Sequence, residues 1–378
     1  MDQILSNIGL LIEFPVVNLK IIIDGVLIGA LFALAAYGLA LVWGVMNVKN
    51  LAQGDFVIGG GYVSWWLNRS LGLQETFGFW GPLLGVIVAF LLMALLASGI
   101  YGTSIHRWVK QRIKTFGRLA ALVFVFFVIG IYLSDSGQSE SVASFGTWLS
   151  GLSAIALTLM LVAGGGIYDL VISRVIERDL FTSLLATFGL AIMMAQIMNL
   201  LFGSDTQSLD LGLDTIYFAD GFIDVPMAKL IGVLMAAVLA ACVVLFMKNS
   251  RMGQAIRATA QDARAARVLG IDTEKVYAFT FALNAAICGA AGAIIVMVWV
   301  IQPFYGITYS VRAFVIVTAA GLGNLPGVIV AGLGIGAAEQ YGSHIFGIGY
   351  QQAIAVLLLL LVLVYRLMQQ KRNRQVLQ

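Results

Sequence analysis

The residues able to do chemistry in this chain sit where otherwise apolar sequence is interrupted. The first interruption is Gly44-Val-Met-Asn47-Val-Lys49-Asn50-Leu-Ala52-Gln53-Gly54-Asp55-Phe56, followed by Gly59-Gly60-Gly61. A carboxylate near a helix start is stabilised by free N–H groups and the positive dipole end, and glycines let helices approach closely. An ionisable residue at membrane depth is a functional candidate. Asn50, Gln53, Gly54 and Asp55 are therefore candidates for a translocation path or helix break. Asp55 could equally cap a helix at the membrane interface, and capping with packing is the preferred reading.

A second interruption, residues 253–272, is Ala-rich and basic and contains Gly253, Arg257, Ala258, Asp262, Ala266, Leu269 and Gly270. It reads as a short helix ending at a glycine. Ala255, Ala258, Ala265 and Leu269 recur at helical spacing beside Arg257, Arg264 and Arg267, giving a small apolar face that could lie in a partner's groove. On pattern alone an exposed connector helix is the stronger reading. The third is Gly321-Leu322-Gly323-Asn324-Leu325-Pro326-Gly327, where glycine and proline free backbone groups that only protein or a water-lined cavity can satisfy within a membrane. A plain turn between two short helices competes evenly with a re-entrant break.

Enzyme chemistry finds little support. No GxxxxGK[ST] pattern occurs, and neither His106 nor His344 has a partner at metal-ligand or nucleophile-activating spacing. Cys242 and Cys288 lie inside apolar runs and suit packing. No cofactor or metal is expected. Any ATP that drives this chain must bind another subunit, to which this one presents a docking element.

The elements that position these residues follow from composition. Hydrophobic residues make up 60% and charged residues 11% of 378 positions, about half the charged share of a soluble domain. Such a chain meets lipid and confines its charges to loops. A net charge of +3, clustered in loops, gives no reason to expect a nucleic-acid partner. The first basic residue is Lys20, so a cleaved leader is not expected.

Runs near 20–43, 82–104, 183–203, 228–247 and 276–300 are the clearest membrane spans. Shorter or Gly-interrupted ones fall near 51–68, 119–133, 150–171, 313–337 and 351–366. The fold class is all-α: a polytopic membrane helix bundle of about ten spans, some broken or re-entrant. Basic loops at 106–118 and 248–275 should be cytoplasmic, and the acidic stretch 204–226 should face outward. Two simple crossings after residue 312 would leave Lys371, Arg372 and Arg374 outside, so something in that third must be broken or re-entrant.

At the first two interruptions the chain resembles the H-type permease of the branched-chain amino acid family of ABC importers, which also includes urea and amide permeases. Asn50, Ala52, Gly54 and Asp55 match the family's Asn-x-Ala-His-Gly-Asp/Glu pattern, with Gln53 in place of the His. Gly253, Arg257, Ala258, Asp262, Ala266, Gly270 and Ile271 resemble its cytoplasmic coupling loop. Gly321, Gly323, Asn324, Pro326 and Gly327 resemble its Gly-Gly-x-Gly-Ser-x-Pro-Gly signature, from which Ala320 and Asn324 depart. The resemblance implies a single permease domain forming half of a path for a small polar solute, most simply a branched-chain or other amino acid. It also implies a second permease subunit, two cytoplasmic ATPase subunits, a periplasmic binding protein and a bacterial inner membrane.

Residues 107–167 exceed the family pattern and read as an insertion of a basic loop plus two membrane helices. Ala97-Ser-Gly99-Ile100-Tyr101 before it echoes Gly164-Gly-Gly166-Ile167-Tyr168 near its end. The alternative functions are a urea or short-chain amide importer permease of the same family and an ion-coupled secondary transporter, the latter of which should carry ionisable groups at a midplane site. The sequence reads as poor in them.

Overall fold

A computed structural model describes residues 2–78, 80–99, 166–176, 180–218, 223–321 and 324–375, with a few isolated positions between 101 and 129. The spans read at 119–133 and 150–171, and most of the 107–167 insertion, lie outside the described residues.

After a short helix α1 (Asp2–Glu13), the chain enters α2 (Pro15–Met46), whose first position is a proline preset for a helix start. Then come α3 (Gln53–Ser70), α4 (Leu73–Phe77) and α5 (Trp80–Ser98). A π-turn, Tyr168–Ile172, leads through Ser173–Val175 towards α6 (Leu180–Phe202). A β-hairpin, β1 (Thr215–Phe218) with β2 (Ile223–Pro226), precedes α7 (Met227–Asn249). The strands pair antiparallel, Thr215 opposite Pro226 and Phe218 opposite Ile223. Two short helices follow, α8 (Arg251–Gln261) and α9 (Ala263–Val268), then α10 (Thr273–Ile295), α11 (Gly306–Ala320), α12 (Leu325–Phe346) and α13 (Gln351–Gln375).

Among the described residues, five helices are long and apolar enough to cross a bilayer: Pro15–Met46, Trp80–Ser98, Phe181–Phe202, Met227–Asn249 and Thr273–Ile295. Two of them, α2 and α10, are almost wholly buried. They are apolar on every side, as a helix enclosed by other helices must be. Their buried faces are rich in small residues, such as Ala36, Ala40, Ala285 and Ala290, which allow close backbone approach where lipid supplies no hydrophobic drive to pack. The helices α5, α6 and α7 are mostly exposed and carry outward Leu91, Leu185 and Leu234.

The C-terminal third resolves the basic-tail conflict. The run read as one span at 313–337 is two helices, α11 and α12, meeting at 120° across the break at 321–324. In α11, Tyr309 meets Phe32 and Phe314 meets Trp43, so α11 runs parallel to α2. The next helix runs back: a β-carbon at Gly29 would stand 2.5 Å from the Gly332 carbonyl oxygen, and Tyr341 reaches Asn18 at 3.1 Å. A third pass, α13, starts beside Gly342 and packs along both. Three helix runs instead of two therefore follow residue 305, which is the odd number that the charge rule requires for a basic tail on the same side as the basic stretch 248–275.

At the end of the bundle that carries the hairpin, Lys20 pairs with Asp224, and Lys229 with Asp24 at 2.7 Å. At the opposite end of the bundle the two echoing stretches meet. The Tyr101 and Tyr168 rings lie 5.1 Å apart, edge to face, and both hydroxyls reach Glu274.

Candidate functional site: a broken-helix core and a two-helix module

The first interruption is a helix break inside the bundle. At the end of α2, Asn47 takes a left-handed conformation with φ 53°, a conformation asparagine tolerates, and the chain turns back. When α3 begins, Gln53 already lies beside the middle of α2 and α10. Its side-chain nitrogen donates to the Ala35 carbonyl at 2.8 Å and lies 2.6 Å from Cys288 Sγ.

Irregular backbone at this depth needs protein partners for its polar groups, and each comes from a short side chain. The Leu51 N–H donates to Thr187 Oγ1 at 3.2 Å, and Asn50 Oδ1 accepts from the Ala52 N–H at 3.1 Å. Ser310 Oγ donates to the Leu51 carbonyl at 2.6 Å and accepts from the Gly54 N–H at 2.8 Å. Asn50, Gln53 and Asp55 are each at most 1% exposed.

The capping role read for Asp55 does not hold, whereas the packing role does. The cap position of α3 is Ala52, with no side-chain cap bond, because Asp55 sits inside the first turn and its carboxylate points sideways onto Gly306. A β-carbon at Gly306 would collide with that carboxylate, and one at Gly54 would collide with the Gly306 carbonyl. Gly54 and Asp55 thus interlock with Gly306 and Ser310, joining the starts of α3 and α11. Asp55 Oδ2 has no hydrogen-bond partner among the described residues.

The third interruption is not brought to this layer. Gly321, with φ 95°, ends α11; Asn324 caps α12 by accepting from the Gly327 N–H at 3.1 Å; and Pro326 occupies the first turn. Asn324 and Pro326 are exposed. Gly323 lies outside the described residues.

The Ala-rich stretch is two helices, not the single one read from its alanines. Ser250 caps α8 by accepting from the Gly253 N–H at 2.8 Å. Ile256 and Thr259 are buried against the bundle, Gly253 packs on the Met247 backbone, and the Arg257 guanidinium donates to the Met247 carbonyl. At Asp262 the backbone turns extended, φ −155° and ψ 105°, and Oδ1 accepts from the Arg264 and Ala265 N–H groups at 2.8 and 3.0 Å. Asp262 therefore ends α8 and caps α9. The Ala265 and Arg264 N–H groups hold its carboxyl below the usual range.

Helix α9 in turn ends at Gly270, φ 86°, while Ala266 is buried and Arg267 Nε donates to Thr273 Oγ1 at 2.8 Å. The apolar stripe divides. Ala255 and Ala258 turn towards the bundle, whereas Ala265 and Leu269 face out. Val268 and Leu269 are 87% and 79% exposed, with Arg264 beside them. The module is a knob clamped to the ends of α7 and α10, with its apolar tip in water.

Residues 21–365 match the family described as branched-chain amino acid transport system / permease component. The chain belongs to that family. It is 25% identical to the high-affinity branched-chain amino acid transport system permease protein LivH of Salmonella typhimurium, over 90% of this chain and 91% of the relative. It is 26% identical to the corresponding protein BraD of Pseudomonas aeruginosa, over 92% and 94%. A probable LivH of Methanocaldococcus jannaschii is 25% identical over 88% and 84%. No solved structure matches.

This permease also holds a feature the sequence reading missed. Arg312 of α11 and Glu339 of α12 form an ion pair at 3.2 Å, with side chains 6% and 5% exposed, and the guanidinium lies 4.6 Å over the Phe32 ring. With Asp55, this places three ionisable groups in the buried bundle, which corrects the expectation of a poor supply. The two residues flanked the apolar run 313–337 and so looked like loop charges. The available signal was the glycine-proline break itself: once that run is two helices, its flanks become membrane interior.

Proposed function

We propose that this multi-pass permease is the membrane-spanning subunit of an ATP-binding-cassette importer of the bacterial inner membrane. It forms half of a translocation path for a small polar solute, a branched-chain or other amino acid. The names of the relatives support that substrate class. A second permease subunit forms the other half, two cytoplasmic ATPase subunits supply the energy, and a periplasmic binding protein delivers the solute.

The observation that carries this reading is the α8–α9 module. A mechanical handle must be rigid towards the bundle and apolar towards its partner. Ile256, Arg257 and Arg267 supply the first property, Val268 and Leu269 the second. ATP-driven movement of the partners can open the path only if their contacts with the module differ between nucleotide states. The movement would reach the broken-helix core through α10, which starts three residues after Gly270 and ends beyond Cys288. Asn50, Gln53, Gly54 and Asp55 are proposed as elements of the path's gate, and the 321–327 turn as its inner hinge.

Residues 107–167 are proposed as an insertion of two membrane helices, since its flanking tyrosines touch and a segment whose ends meet can be added without displacing its surroundings. Deleting it should cost stability or partner choice and leave substrate preference unchanged. Uptake into vesicles holding the full complex tests the function. Leucine accumulation should require ATP and both ATPase subunits, and accumulation driven by an ion gradient alone would overturn the reading.

A further inference from the structure

We propose that the outer end of α3 carries a receiving site for a zwitterionic α-amino acid, distinct from the broken-helix core. This rests on the importer reading and narrows its substrate class. A cavity of about 430 Å³ opens here, lined by Trp65, Asn68, Arg69, Glu75 and Leu209 among others, within the size range of small-molecule sites. It lies roughly 20 Å from Asp55 along the same helix, at 1.5 Å rise per residue.

The cavity is built rather than incidental. Trp65 is held edge-on against Tyr62 and Phe202, whose rings stack 4.6 Å apart, so its indole is a fixed apolar wall. The Arg69 guanidinium lies 5.3 Å over that indole, and no carboxylate among the described residues pairs with it. Glu75, on the facing short helix α4, also has no ion-pair partner among them. Asn68 is only 5% exposed. Its nitrogen donates to the Ser64 carbonyl at 2.8 Å, and its Oδ1 has no hydrogen-bond partner among the described residues. A buried acceptor left unfilled at the wall of a cavity is an open place for a donor.

The three polar groups match one ligand chemistry. A carboxylate fits the guanidinium fork of Arg69, an ammonium fits Asn68 Oδ1 and Glu75, and an aliphatic side chain fits Trp65 and Leu209. Urea or a neutral amide would leave both charges without a counter-charge, so the site selects against the uncharged solutes of related permeases.

The test is equilibrium binding of radiolabelled leucine to the complete permease–ATPase complex in lipid discs, without the binding protein. Competitors are isocaproate, which lacks the ammonium, isoamylamine, which lacks the carboxylate, and urea. Saturable leucine binding is expected, with no competition by urea. Arg69→Gln should weaken leucine and isocaproate roughly ten- to hundredfold and spare isoamylamine, and Glu75→Gln should do the converse. Both residues are exposed, so neither variant threatens folding. Binding unchanged in both variants, or no saturable binding by a complex that imports leucine with ATP, would overturn the site and leave the importer reading intact. Charge-dependent binding by a complex that fails to import leucine would support the site and sink the importer reading.

Discussion

At Asp55 and Gly306 one atom decides the local structure. The carboxylate occupies the space a β-carbon at Gly306 would need, so Gly306→Ala should destabilise the permease by about 1–3 kcal/mol through overpacking. Asp55→Ala in the same chain should restore most of the loss. Thermal unfolding in detergent reads both variants, and no rescue would separate the two residues. The Arg312–Glu339 pair makes a second prediction. Removing one partner strands a buried charge, so Arg312→Met or Glu339→Gln alone should cost about 3–5 kcal/mol, whereas Arg312→Met with Glu339→Met should recover most of it. A double variant as unstable as the singles would show that the pair acts through more than mutual neutralisation. The sequence displayed Asp55 as a polar residue in apolar surroundings. It could not display Gly306 as its neighbour, because that contact joins positions about 250 residues apart and depends on where two helices start.

At the scale of elements, the Ala-rich stretch was legible as helical, but its division at Asp262 was not. An aspartate after a helical run reads as a solvated residue until the backbone bends and two N–H groups turn towards it. Asp262→Ala should fray α9 and uncouple hydrolysis from uptake, raising the ATP hydrolysed per leucine imported while the permease stays folded. An unchanged ratio would remove the cap from the mechanism. The sign of its pH dependence follows from the lowered carboxyl value. The stabilisation is fully present above the unfolded value, about 3.9, and is lost as pH falls through the folded value. Coupling should therefore be insensitive to this group between roughly pH 5 and pH 8, as uptake measured across that range would report.

At the scale of the whole molecule, the clearest apolar runs as far as residue 300 are helices long enough to cross a bilayer among the described residues. Beyond it, hydropathy merged two helices into one span, because the break at 321–324 is short and its flanks are as apolar as a helix interior. The charge rule still registered the error, since it demanded an extra crossing to bring Lys371, Arg372 and Arg374 inside. A fluorescent protein fused after residue 378 should light up and alkaline phosphatase there should stay inactive; the reverse would remove the third pass.

The most direct measurement of all places a benzophenone amino acid at position 269, on the exposed tip of α9, in the assembled complex. Irradiation is expected to join this chain to an ATPase subunit, with a yield that changes between nucleotide-free and ATP-bound complexes. Adducts confined to outward-facing proteins or to lipid would contradict the coupling role assigned to the module.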